Sequence, residues 1–324
     1  MWKRLQDWSS KVGEIRIKGE GVDAVVTLQL SGVDTNTIIS GAAHEDNPGN
    51  RLRTAKQLLF EEIGVDPEGG VYCEYSFKWK ATARAAELRF SNVWETDDSK
   101  LQPSGDPWLV VIDFPFDRDG HTPQDDLERL AEFKARHARQ GARTLVWLPS
   151  FFSLDTQRSV GKLTILDFLL ANDQRLKEYS ANLSSVERAE ARMLLENQRS
   201  SLRDKVKRAL REAYGVQAAE PGMLDPAYEL EPAQQFQCLE GSLPLRPPVA
   251  ATLADALNGI LAQALDRARC QGTSCRTRFQ LVRAGNAAGV DGPGGRRRGA
   301  TATPPPASSG TVGPPAEPVQ RAHV

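Results

Sequence analysis

Two short apolar segments, joined by a stretch with helical periodicity, constrain the fold of this chain more than any other feature. Residues 107–113 and 143–148 carry near-continuous apolar runs, which are typical of strands buried on both faces. Between them, Thr122 and Pro123 form a helix-start signal and apolar side chains recur at helical spacing, so we expect a helix over 123–139. Strand, helix and strand with short links predict a βαβ unit, whose two strands are adjacent or near-adjacent, parallel and joined by a right-handed crossover.

The sequence around this unit predicts a larger α/β protein. Period-two alternation around a glycine-rich turn predicts a hairpin over 14–30, and the apolar pattern after Asn50 predicts a helix that stops at Gly64. Further apolar patterns predict two or three strands over 71–93 and helices over 155–179 and 184–214. The apolar face of this helical region should be buried against the sheet, and its arginine-rich face should be exposed.

We divide the chain into six segments on these patterns. They are a β-hairpin-rich part (1–48), an α/β core (49–153), a helical region (154–216), a Pro/Gly-rich linker (217–250), a helix (251–269) and a tail (270–324). From residue 284 onwards the tail contains no Leu, Ile, Phe, Tyr or Trp, so it cannot bury enough apolar surface to fold and is predicted to be disordered. Its composition is that of GC-rich DNA translated out of frame, and we hypothesise that the native frame is lost near Cys270.

Charge and cysteine content exclude several classes of protein. A formal net charge of −1 argues against a surface built throughout for nucleic acid or an anionic membrane. No apolar run approaches the roughly 20 residues of a spanning helix, and the N-terminus lacks the apolar core of a signal peptide. Four scattered cysteines form no disulfide framework. We therefore expect a cytoplasmic protein that is not inserted in a membrane.

Asp113 is the strongest candidate for chemistry. It follows the buried strand directly, at the edge where open α/β sheets place their ligands. An apolar strand followed by Asp also has the form of a Walker B element, whose carboxylate helps to hold Mg²⁺ on a nucleotide. A structural aspartate at a strand end is a common alternative. The chain contains no Gly-x-x-x-x-Gly-Lys-Ser/Thr loop, since Gly161-Lys162 is followed by Leu163 and the first glycine is replaced by Thr156.

A row of basic residues on the helix at 184–214 is the second candidate. Steps of four and seven residues place its members on one helical face, where they could contact the phosphates of nucleic acid or form a solvated face. No aromatic residue interleaves them. The members are Arg188, Arg192, Arg199, Arg203, Lys207 and Arg211.

Several segments of the sequence resemble, in the same order, an internal stretch of PglY-like proteins, which are large P-loop ATPases of phage growth limitation and type 2 BREX phage-defence systems. The resemblance covers about residues 12–260, and its most particular parts are IDFPFD at 112–117 and WLPSF at 147–151. Family members are far longer and carry their P-loop upstream of the matching stretch. The resemblance therefore implies a fragment with a partial P-loop-NTPase-like parallel sheet.

The resemblance also implies roles for individual residues. Asp113 would be the Mg²⁺ carboxylate, and Ser150 would be a polar sensor at the end of the next strand. The implied cofactors are ATP and Mg²⁺, and the isolated chain should bind neither of them tightly. The implied partners are the methyltransferase, kinase-like and phosphatase-like proteins of such systems, and DNA. Three functions stay open: an ATPase-core segment that does not hydrolyse ATP alone, a non-catalytic module that binds nucleic acid or protein, and a remnant of a disrupted gene.

Overall fold

The computed structural model describes most of the chain up to residue 268. The described ranges are 2–11, 14–19, 24–28, 32–66, 72–102, 108–116, 120–137, 142–240 and 245–268, and they lie within one compact unit. The tail, its proposed frame change and Gly141 at the expected end of the βαβ helix all lie outside these ranges. No helix in the described ranges is both long enough and apolar enough to cross a membrane.

The described residues form nine α-helices, three short 3-10 helices and seven strands. The helices are α1 (Trp2–Lys11), α2 (Thr35–Gly41), α3 (Pro48–Ile63), α4 (Pro123–Arg136), α5 (Leu154–Leu170), α6 (Asp173–Tyr179), α7 (Ser185–Ala213), α8 (Pro232–Gln235) and α9 (253–268). The strands are β1 (Ile15–Lys18), β2 (Val25–Leu28), β3 (Cys73–Trp79), β4 (Thr82–Phe90), β5 (Trp108–Ile112), β6 (Thr144–Trp147) and β7 (Phe236–Cys238).

A five-stranded mixed sheet organises the molecule. Its order is β3-β4-β5-β6-β7, with β4, β5 and β6 parallel and the two edge strands antiparallel to their neighbours. The predicted βαβ unit is confirmed, because α4 connects β5 to β6 and Leu109 lies opposite Thr144 in a parallel register. The predicted α/β class and the helical C-terminal half are confirmed as well.

Alternation along β5 explains why the sheet is covered on both faces. Trp108, Val110 and Ile112 join a large core with α3, α5, α7 and α9, whereas Leu109 and Val111 join a smaller core with α4. All five residues are buried, and burying both faces of a strand requires the continuous apolar run that the sequence shows. The sheet is therefore the middle layer of an α/β/α arrangement.

The N-terminal part contains the predicted hairpin and two helices that the sequence patterns missed. β1 and β2 pair antiparallel, as expected, but α1 precedes them and α2 follows. The predicted end of α3 at Gly64 is confirmed, since Gly64 adopts a left-handed φ of 83° and its N–H caps the helix. The single helix expected over 155–179 is wrong, because Asn172 starts α6 as a new helix with its own N-cap.

The interpretation of residues 217–250 as a linker is also wrong. This segment supplies β7, which pairs antiparallel with β6 and completes the sheet. Met223, Leu224 and Leu239 from the same segment are buried in the two cores. The Pro and Gly residues mark turns between short elements here, and the apolar residues between those turns pack into the domain.

Candidate site at the carboxyl edge of the sheet

The two residues that the sequence singled out for chemistry lie at the same edge of the sheet. Asp113 follows β5 directly, and Ser150 lies three residues beyond the end of β6. Since β5 and β6 are parallel neighbours, their carboxyl ends meet at one edge. In the described part of the chain, no hydrogen bond joins the two side chains, because each is committed to a different neighbour.

The Asp113 carboxyl group is bound by the backbone around it. One oxygen accepts a hydrogen bond from the Phe114 N–H at 2.7 Å, and the other accepts one from the Val93 N–H at 3.2 Å. Its own N–H donates to the carbonyl of Trp147. Asp113 is 2 % exposed, so these amides replace the water that the carboxyl lost on folding.

Asp126 is the main electrostatic neighbour of Asp113, and sequence reasoning did not select it. It lies in the first turn of α4 and is 3 % exposed. Burial, together with the charge of Asp126 and a hydrogen bond with its carboxyl, raises the pKa of Asp113 well above the ordinary value. Burial and this like charge both favour the protonated form of Asp113. The acidic first turn of α4 was visible in the sequence, but only as a helix-start signal.

Tyr214 connects the end of α7 to this edge. Its hydroxyl donates a hydrogen bond to the backbone carbonyl of Asp113, and its own carbonyl accepts one from the Trp147 indole N–H at 3.1 Å. Burial and the nearby Asp113 carboxyl raise the pKa of Tyr214 well above the ordinary value, so the phenol stays neutral. The helical layer is therefore attached to the ends of both central strands.

Ser150 is held by the segment that follows α7. Its hydroxyl accepts a hydrogen bond from the Leu230 N–H at 2.9 Å, and its own N–H donates to the carbonyl of Ala213. The residue is buried at 3 % exposure. In this position Ser150 joins the 226–235 segment to the sheet.

Gly161 and Lys162, the dipeptide that resembles part of a phosphate loop, lie within α5 and have packing roles. A Cβ at position 161 would stand 2.3 Å from a carboxylate oxygen of Asp46, so only glycine allows this approach. Asp46 is in turn bound by the Arg51 guanidinium through two nitrogens. Lys162 donates to the backbone carbonyl of Lys11, and burial lowers its pKa.

Five of the six cations on the basic face of α7 form ion pairs with acids of other helices, and the expectation of an exposed arginine face is wrong. Arg203 contacts Glu61 at 2.6 Å, while Arg211 and Lys207 contact Glu62 at 2.7 and 3.2 Å. Arg199 pairs with Asp167 of α5 and Arg192 with Asp173 of α6, and Arg188 donates to the backbone carbonyls of Ser180 and Leu183. All six side chains are half-buried.

Glu61 and Glu62 are the partners that sequence reasoning missed. Burial opposes the ionisation of both glutamates, but hydrogen bonds and charges from Arg203, Lys207 and Arg211 outweigh it, and the pKa of each is lowered. The signal was a pair of adjacent acids at the end of α3, facing a long helix with regularly spaced cations. Using it requires knowing that α3 and α7 are in contact, which spacing along one helix does not reveal.

The carboxyl edge, as arranged here, does not fit a Mg²⁺ ion bound to a nucleotide. Mg²⁺ takes an octahedral set of oxygens and keeps waters or phosphates in it, which requires an open site. Asp113 and Asp126 are almost fully buried, and the raised pKa of Asp113 opposes metal binding, which requires the ionised carboxylate. Within the described ranges, no group of three or more His, Cys, Asp or Glu side chains could hold a metal ion.

The protein is thus an α/β/α domain whose three central strands are parallel. A buried pair of acids, Asp113 and Asp126, lies at the carboxyl end of its middle strand, β5. No solved structure matches the chain. The family model described as "PglY fourth domain" matches residues 38–268, which is more than two thirds of the chain. The chain therefore belongs to the PglY fourth-domain family and is a PglY-like protein of the BREX/Pgl phage-defence type. This confirms the resemblance found in the sequence.

Proposed function

We propose that this chain acts within a PglY-like phage-defence protein as a structural domain that does not hydrolyse ATP alone. The burial of Asp113 carries this proposal. Its two carboxyl oxygens accept hydrogen bonds from the Val93 and Phe114 amides, and it faces Asp126 rather than an open cleft. Phosphoryl transfer depends on positioned phosphates and metal, and the sequence has no glycine loop to position them.

In this proposal Asp113 and Ser150 fasten the sheet edge to neighbouring segments, and neither residue acts as a metal ligand or a sensor. Asp113 holds the 91–93 turn and the chain after β5, while Ser150 holds the segment before β7. ATP and Mg²⁺ then bind elsewhere in a PglY-like protein. The methyltransferase, kinase-like and phosphatase-like proteins of such systems are its partners, and the cytoplasm is its compartment.

A nucleotide-dependent stability measurement tests the proposal. A ligand raises the melting temperature only as far as it binds the folded state. We expect the full 324-residue chain to melt at the same temperature with and without millimolar MgATP, and to release no phosphate from ATP. The matched control is Asp113→Asn, which preserves shape and removes the metal-binding charge. A MgATP-dependent rise in melting temperature that disappears in Asp113→Asn would overturn the structural role.

A further inference from the structure

A polar groove of about 940 Å³ is lined by residues of the helical layer. A face of α7 from Met193 to Arg211 lines it, and residues of α1 and β1 line it as well. The segment Glu220–Met223 also contributes to its lining. At the helical rise of about 1.5 Å per residue, the α7 wall is about 27 Å long, which suits an extended chain better than a compact ligand.

Four cations in this groove have no ion pair in the described part of the chain. Seven basic side chains line it, and three of them are engaged, because Lys205 pairs with Asp155 while Lys207 and Arg211 pair with glutamates of α3. The other four come from three different elements and carry their charge into the groove. They are Arg4 of α1, Arg16 and Lys18 of β1, and Arg208 of α7.

The acidic side chains of the groove weaken its positive character only in part. Asp7 pairs with Lys11, Asp155 with Lys205 and Glu196 with Arg192. Glu220 also lines the groove. Asp204 makes no ion pair in the described ranges, and it lies among Arg203, Lys207, Arg208 and Arg211. Burial raises its pKa in spite of these cations. Asp204 is thus the carboxyl that competes most directly with an anionic ligand.

We propose that this groove binds the phosphate backbone of a single-stranded nucleic acid through Arg4, Arg16, Lys18 and Arg208. Unpaired cations from separate elements, spread along a concave channel, match a chain of regularly spaced phosphates. No aromatic side chain is among the described residues that line the groove, so bases have no stacking platform. Binding is therefore independent of sequence and sensitive to salt. These cations differ from the ion-paired face of α7 that the sequence pattern selected.

Fluorescence anisotropy of a labelled oligothymidylate with the full chain tests the proposal. Four phosphate contacts give a slope of log affinity against log salt of about −2.8, so affinity should fall about 50-fold between about 50 and 200 mM salt. The variant Arg16→Glu with Lys18→Glu should weaken binding at least about tenfold and reduce the slope by about half. Both residues are exposed on a short strand, so folding should not be affected.

Two further variants distinguish binding in the groove from a general effect of the net charge of the protein. Arg53→Glu with Lys78→Glu changes the net charge equally at exposed positions outside the groove and should leave affinity within about twofold. Asp204→Asn removes the competing carboxyl and should tighten binding, a gain that misfolding cannot produce. Equal losses in the two double variants, or no gain in Asp204→Asn, would overturn the site.

Competitors identify the source of the phosphates. Duplex DNA, MgATP and inorganic tripolyphosphate are added at equal phosphate concentration to the bound oligothymidylate. Single strands should compete best, because they can enter the groove and make all four contacts. Displacement by MgATP or tripolyphosphate at equal phosphate would assign the groove to free phosphates, and tighter binding of duplex would exclude a single strand as its occupant.

Discussion

The carboxyl edge of the sheet and the helical layer beside it both remove charged side chains from water, but they compensate the charge in opposite ways. At the edge, Asp113 faces a second carboxyl, that of Asp126, and its own oxygens are bound by backbone amides. In the helical layer, Glu61 and Glu62 face cations of α7. The pKa of Asp113 is raised, and the pKa values of both glutamates are lowered.

This difference shows why a charged residue in a sequence pattern does not identify its own role. An aspartate after a buried strand and a row of arginines on a helix both have the pattern of a site for phosphates or metal, and both have a structural alternative. The first is buried against a like charge, and the second is neutralised within the domain. In each case the deciding partner lies on another helix, α4 for Asp113 and α3 for the cations of α7.

The largest expected effect comes from removing the Asp113 carboxyl. Asp113→Ala leaves the amides of Val93 and Phe114 buried without an acceptor, which should lower the free energy of unfolding by about 3 kcal/mol. Asp113→Asn keeps an acceptor oxygen and removes the like charge, so its loss should stay below about 1 kcal/mol. Urea denaturation at neutral pH measures both. If the two variants lose equal stability, the charge of Asp113 matters and its hydrogen bonds do not.

The second prediction uses pH to test the raised pKa of Asp113. Because this carboxyl binds a proton more tightly when folded, its contribution to stability is complete below the ordinary aspartate pKa of 3.8 and is lost as pH rises towards its folded pKa. The free energy of unfolding of Asp113→Asn should therefore increase relative to the unmodified chain as pH rises from about 4 to 7. The slope for one proton is at most about 1.4 kcal/mol per pH unit.

The control for this slope is a carboxyl of the helical layer. Asp155 has a lowered pKa, with its hydrogen bond from Lys205 as the largest cause, so Asp155→Asn should show a slope of the opposite sign at acidic pH. A flat difference in the free energy of unfolding between the unmodified chain and Asp113→Asn over the whole range would mean that the pKa of Asp113 is not raised on folding.

Much of the fold could be predicted because its signals are local. The apolar run at 108–112, the Thr122-Pro123 helix start and Gly64 at a helix end each report a structure within a few residues. β7 could not be predicted in this way. Its three residues lie among turns, and they form a strand only because β6 offers a free edge.

The candidate site was predictable in position but not in chemistry. The place of Asp113 at the end of β5 follows from the strand pattern alone. Its raised pKa depends on burial and on the charge of Asp126, and both are fixed only when α4 packs back against the sheet. Contacts between elements also decided the outcome for α7. The sequence pattern correctly placed its cations on one face, but the prediction that this face is exposed was wrong.

The smallest expected effect concerns the ion pairs of the helical layer. Glu62→Gln leaves Arg211 half-buried without a counter-charge and leaves Lys207 with only its 3.5 Å contact to Glu61, so the free energy of unfolding at neutral pH should fall by about 1 to 2 kcal/mol. Because the pKa of Glu62 is lowered, this loss should shrink as pH falls below the ordinary glutamate pKa of 4.5, opposite in sign to the behaviour of Asp113.

The matched control is Asp173→Asn, which removes the 91 % exposed partner of Arg192 and should cause no measurable loss because water screens that pair. Equal losses at the two positions in chemical denaturation would mean that burial does not distinguish them, and the comparison between the two regions would then fail.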